Sequence, residues 1–163
     1  MKKITATFNH LGFPIQLVNW PHIEIDGELV PDVNYQKLED LMFEMLPQKP
    51  TKLTGAEIKF IRHYMDMTQK QFAKWLEDET DASTIAVWEK ADLEPTNMSK
   101  AMERSLRIQL ITHNLEKRRK TTVKINLNRE ISHRISKKSK PIELPAKSFF
   151  PIPKHVPKDL AIV

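Results

Sequence analysis

The chain has no cysteine, and that single absence removes disulfide bridges, thiolate zinc sites and cysteine nucleophiles together. Any metal would have to be held by histidines and carboxylates alone. The histidines stand at positions 10, 22, 63, 113, 133 and 155, too scattered for a ligand set, and neither HxxxH nor HExxH occurs, so neither a metal nor a cofactor is expected. Glycine is almost as scarce: with three in the chain there is no glycine-rich phosphate loop, and no GxSxG either. The Asp/Glu pairs sit in amphipathic or capping contexts, so no catalytic residue is expected. A ribonuclease built from His, Lys and Arg has little local signature and stays open. No apolar run approaches the roughly 18 residues that cross a bilayer, and MKKITATFNH lacks a continuous apolar stretch. A soluble, cytoplasmic protein with no membrane partner is the expectation.

What is present is enough for a core: 163 residues, 40% of them hydrophobic, fit one compact domain with extensions or two small ones. The formal net charge of +5 hides an asymmetry. Residues 1–100 hold 11 Lys/Arg against 16 Asp/Glu, while 101–163 hold 15 against 5. A polyanionic partner should therefore be felt most strongly by the C-terminal part.

Along 12–34 the alternation at Ile15/Leu17 and at His22-Ile23-Glu24-Ile25, with a turn signal at Asp26-Gly27, predicts two short strands or extended segments. The stretch YQKLEDLMFEML, 35–46, places Leu38, Leu41, Met42, Met45 and Leu46 at helical spacing and is ended by Pro47. PQKPTK, 47–52, has a linker composition. Three helix starts come next, close together. Thr54-Gly-Ala-Glu57 is a capping box opening a helix over about 55–65, and Thr68-Gln-Lys-Gln71 repeats the same chemistry. Asp81 caps a third helix that runs to about Lys90. The stretch 97–117 is the longest helical candidate. Its apolar surface is wide, with one strip at Met102, Leu106 and Leu110 and another at Ala101, Ile108, Ile111 and Leu115. Packing on the 35–46 helix and self-association both account for it. Residues 117–140 carry ten Lys/Arg and one acid around a strand-like alternation at Val123, Ile125 and Leu127; the alternative is a solvated charge run. From 141 onward prolines interrupt any regular element, which predicts an extended arm or disorder.

The residues LTGAEIKFIRHYMDMTQKQFAKWL, 53–76, and STIAVWEKADLEP, 83–95, resemble the Xre/Cro-like helix-turn-helix family, which includes the DNA-binding half of MqsA-type antitoxins. The resemblance covers about a quarter of the chain. It implies a mainly α, lambda-repressor-like helix-turn-helix domain over 51–117, which the patterning above flanks with a small α+β segment over 1–50 and a basic, proline-rich arm over 118–163. It also implies a sequence-specific double-stranded DNA-binding transcriptional regulator, an autorepressor and homodimer on a partly palindromic operator, with a toxin protein as partner. In that reading Thr68 and Gln69 open the second helix against a backbone phosphate. Ala73 is small where helices cross, and Ile85 and Trp88 bury the third helix. Ala82, Ser83, Thr84 and Val87 face the major groove, Lys90 reaches a phosphate, and Arg118, Arg119 and Lys120 add positive charge. Arg62 and His63 are placed on the solvent face.

The chain departs from the family in three ways. The turn EDETD, 77–81, is longer than the usual Leu-Gly-Val-Ser, and 54–95 holds 5 Lys/Arg against 9 Asp/Glu, so DNA binding would need charge from the arm. The cysteine pairs common before such domains are absent. A protein-interaction adaptor that no longer reads DNA is the rival reading.

Overall fold

The computed structural model describes residues 2–76, 80–117 and 142–145. Its architecture overturns the mainly α, lambda-repressor-like expectation: the described residues form an α+β fold, five α-helices packed with a four-stranded mixed sheet. Strand β1 is Lys2–Phe8, β2 is Ile15–Ile25, β3 is Glu28–Pro31 and β4 is Ile142–Pro145. The two extended segments expected at Ile15/Leu17 and His22–Ile25 are one continuous strand, β2, which the Asp26-Gly27 turn, both residues at positive φ as a tight hairpin requires, joins to antiparallel β3. β2 also pairs antiparallel with β1 across an irregularity near Ile4 and Ala6, opposite which Asn19 takes a φ of 53°.

β4 corrects the reading of the region after 141, where prolines were expected to interrupt every regular element. Ile142–Pro145 lies parallel to β2, Ile142 beside Ile15 and Leu144 beside Leu17. Among the described residues β4 pairs only with β2, and an edge strand of this kind tolerates a proline. The sheet thus needs a partner far away in sequence, and no local pattern at β2 announces it.

The helices are α1 Tyr35–Met45, α2 Gly55–Tyr64, α3 Gln69–Trp75, α4 Ala82–Glu89 and α5 Lys100–Lys117. Each of the three predicted starts is made by the expected chemistry. Thr54 and Glu57 close one capping box, Thr68 and Gln71 a second, and Asp81 accepts the Thr84 amide at 2.7 Å. Among the described residues no helix is long and apolar enough to cross a membrane.

Sheet and helices share one hydrophobic core. It joins Phe8, Ile15, Leu17 and Trp20 to Leu38, Met42 and Phe43, then to Ile58, Ile61, Phe72, Leu76, Ile85, Trp88, Leu106, Leu110, Ile142 and Leu144. On α5, Leu106, Leu110 and Ile111 are buried while Ala101 and Ile108 remain exposed, so packing accounts for one part of its apolar surface and leaves another open.

The linker-like stretch 47–52 is held tightly. Arg107 donates to the carbonyls of Pro47, Lys49 and Thr51 and pairs with Glu103 at 2.8 Å, while Glu103 accepts the Leu53 amide at 2.9 Å. Lys49 reaches Glu57 at 2.6 Å, both side chains almost fully buried. Charges this deep persist only when paired and hydrogen-bonded, and here each meets its opposite.

Candidate nucleic-acid interface

The position of α4 results from what grips it on three sides. Its inner face is apolar: Ile85 and Trp88 are buried, at three-residue spacing on one side of the helix. Its C-terminal end meets the start of α2 with no room to spare. A Cβ on Gly55 would lie 2.5 Å from the Trp88 carbonyl oxygen, 2.6 Å from the Asp92 nitrogen and 2.8 Å from the Glu89 carbonyl oxygen. Glycine at 55 is thus a contact requirement, and the approach is sealed by Ala56 N donating to Asp92 O at 2.7 Å and Thr96 N to Leu53 O at 3.0 Å.

The third grip is polar. Arg62 of α2 forks onto Glu89, Nε to Oε1 at 2.5 Å and Nη2 to Oε2 at 3.1 Å, and its Nη1 donates to the Met67 carbonyl at 2.8 Å. Gln69 of α3 donates through Nε2 to the same Glu89 carboxylate at 2.8 Å. One carboxylate therefore ties α2, α3 and α4 together. Burial pushes the Glu89 carboxyl upward, but Arg62 and Gln69 more than offset it, so the group sits below its ordinary range. The placement of Arg62 on the solvent face is corrected here: its side chain is only 12% exposed, whereas His63 beside it is exposed.

What α4 leaves outward is a strip of Ser83, Val87 and Lys90, all exposed, with Ala82, Thr84 and Ala86 half-buried at its shoulders. Val87 is 56% exposed, the most open of the large hydrophobic side chains in the described residues. Lys70 and Lys74 of α3 are exposed as well. At the head of the strip, the Asp81 carboxylate accepts the Thr84 amide and the Ser83 hydroxyl, the latter at 2.8 Å. The Thr84 amide is the largest of the influences that hold the Asp81 carboxyl below its usual range, followed by the Thr84 and Ser83 side chains. Ser83 thus commits its proton to the cap and presents lone pairs outward.

Of the residues singled out in the sequence, Thr68, Gln69, Ala82, Ser83, Thr84, Val87 and Lys90 all belong to α3, α4 and their caps. Thr68 is exposed and serves as a helix cap. Gln69 is half-buried, its amide engaged by Glu89. Arg118, Arg119 and Lys120, the strand-like alternation at 123–127 and most of the EDETD turn lie outside the described residues. Sequence reasoning missed the Arg62–Glu89–Gln69 clamp and the role of Gly55. The available signal was Glu89 itself, an acid directly after a buried tryptophan on a short helix, which needs a partner from another element.

No family model matches the chain, and no curated protein and no solved structure is significantly similar to it.

Proposed function

We propose that the protein is a sequence-specific double-stranded DNA-binding transcriptional regulator that presents α4 to the major groove. The observation that carries this reading is the division of α4: Ile85, Trp88 and Glu89 are committed inward, and a contiguous strip of small or cationic side chains is left outside. A helix held this firmly, with Ser83, Val87 and Lys90 as its outer ridge, can approach a base-pair edge closely without first having to be ordered. Val87 and the Thr84 methyl suit a thymine methyl, Ser83 as an acceptor suits a base amino group, and Lys90 suits a phosphate.

Gln69 acts in this reading chiefly by fixing α3 to α4 through Glu89. The strip lacks the Arg, Asn and Gln side chains that make bidentate base contacts, so site preference leans on DNA shape and on the spacing of two copies. The resemblance to helix-turn-helix regulators supports a homodimer, autorepression and a toxin partner. The ten Lys/Arg of 117–140 would supply the phosphate affinity that the acidic 54–95 segment lacks.

One observation favours the rival adaptor: Asp81 stands as an anion at the head of the strip, where a phosphate would be repelled. A salt-titrated binding assay on the DNA upstream of the protein's own gene separates the two. Selective, salt-steep binding that Val87→Glu abolishes supports the regulator; no binding at low salt rejects it.

A further inference from the structure

Seven large hydrophobic side chains are exposed among the described residues, and four of them, Ile23, Ile25, Leu29 and Tyr35, line a single groove of about 600 Å³ beside the β2–β3 hairpin. Its wall is aromatic: the Phe8 ring centroid lies 4.9 Å from that of His10 and 5.9 Å from that of Tyr35. The hairpin beside it carries Glu24, Asp26 and Glu28, and Asp32 lines the groove itself, while Lys2 and Lys3 of β1 pair with His22 and Pro21. Apolar and aromatic, with the hairpin carboxylates beside it, such a groove suits a polypeptide that is apolar, spaced by prolines and carries lysines, which docks against rings with little entropy left to lose.

The chain carries such a segment, directly after β4. β4 runs parallel to β2 with Pro145 beside Val18, so the chain leaves β4 heading toward the hairpin. β3 already fills that edge of β2 from His22 to Ile25. Those residues are AKSFFPIPKHVPKDLAIV, 146–163, in which Phe149 and Phe150 precede prolines 151, 153 and 157, and Lys147, Lys154 and Lys158 outnumber Asp159. Four extended residues span about 13 Å, enough to reach from the level of Val18 to that of His22.

We propose that the hairpin groove is the seat of residues 146–163 of the same chain, with the Phe149–Phe150 pair against the Phe8 and Tyr35 wall and the lysines over the carboxylates. The seat is separate from the α4 strip and does not depend on DNA binding.

The absence of native cysteine makes disulfide trapping a clean test in the full chain. Leu29→Cys with Phe150→Cys should close at least about tenfold faster than the control Val87→Cys with Phe150→Cys, because docking raises the local thiol concentration. Leu29 is 42% exposed, so the substitution leaves the core intact, and Ile25→Cys serves as a second position. The product should migrate as a monomer, and Lys147→Glu with Lys154→Glu and Lys158→Glu should slow its formation. Equal rates in the test and control pairs overturn the proposal. A cross-linked dimer also overturns it, by giving the seat to a second copy.

Discussion

Replacing Gly55 by alanine probes the joint between α2 and α4. At an unhindered helical position the change would stabilise the fold by roughly 0.4–1 kcal/mol, by narrowing the unfolded ensemble. Here the new methyl would sit 2.5–2.8 Å from three backbone atoms, Trp88 O, Asp92 N and Glu89 O, none of which can rotate away. The two segments must part, at about 1–3 kcal/mol for overpacking. The nearby bonds Gly55 N to Glu94 O, 3.2 Å, and Ala56 N to Asp92 O, 2.7 Å, would lengthen with them. Each such bond is worth about 1 kcal/mol. The expected net loss is about 2–4 kcal/mol, read as a lower urea midpoint at unchanged m-value. Selective DNA affinity should fall further than the unfolded fraction explains, because α4 itself is displaced. A midpoint that stays or rises would refute the rigid joint and with it the account of how α4 is aimed.

Glu89→Gln should destabilise by about 2 kcal/mol, since it leaves the Arg62 guanidinium mostly enclosed without its counter-charge. The Glu89 carboxyl is held low in the fold, so its contribution is present above the ordinary carboxylate range and lost as pH falls through the folded value; urea midpoints measured from pH 7 downward should show a shallower acid limb in the variant. Tyr64 donates to Asp40 at 2.5 Å, and burial, then that bond, push its phenol well above the usual range. Its contribution is therefore present below about pH 10 and declines above it. Tyr64→Phe should cost about 1 kcal/mol at neutral pH and remove that alkaline decline, as followed by circular dichroism. Substituting Arg118, Arg119 and Lys120 by alanine should weaken DNA binding about equally on all sequences and lower the salt slope by about 2.7 if each meets one phosphate. A change in site preference instead would reject their backbone role. Thr84→Ala should alter which site is chosen, with a penalty of about 1–3 kcal/mol at the affected base in a panel of operators.

The sequence by itself determined what is decided within a few residues. The starts of α2, α3 and α4 were legible because Thr54, Thr68 and Asp81 bond to amides only three residues on. The Asp26-Gly27 turn and the α1 stripe were legible for the same reason, as was the inward pair Ile85 and Trp88. Tertiary structure decided whatever depends on partners far along the chain. β4 gains its identity only beside Ile15–Val18, and without it and β1 the fold read as mainly helical. Its charge sends Arg62 to solvent in a reading of the sequence alone, yet Glu89, 27 residues on, draws it inside. Arg107 and Glu103 look like an ordinary surface pair until the carbonyls of 47–51 close over them. Local hydrogen bonds are written in neighbouring side chains. The burial of a charge depends on which surface arrives to cover it, and that is settled only when the sheet and helices close on one core.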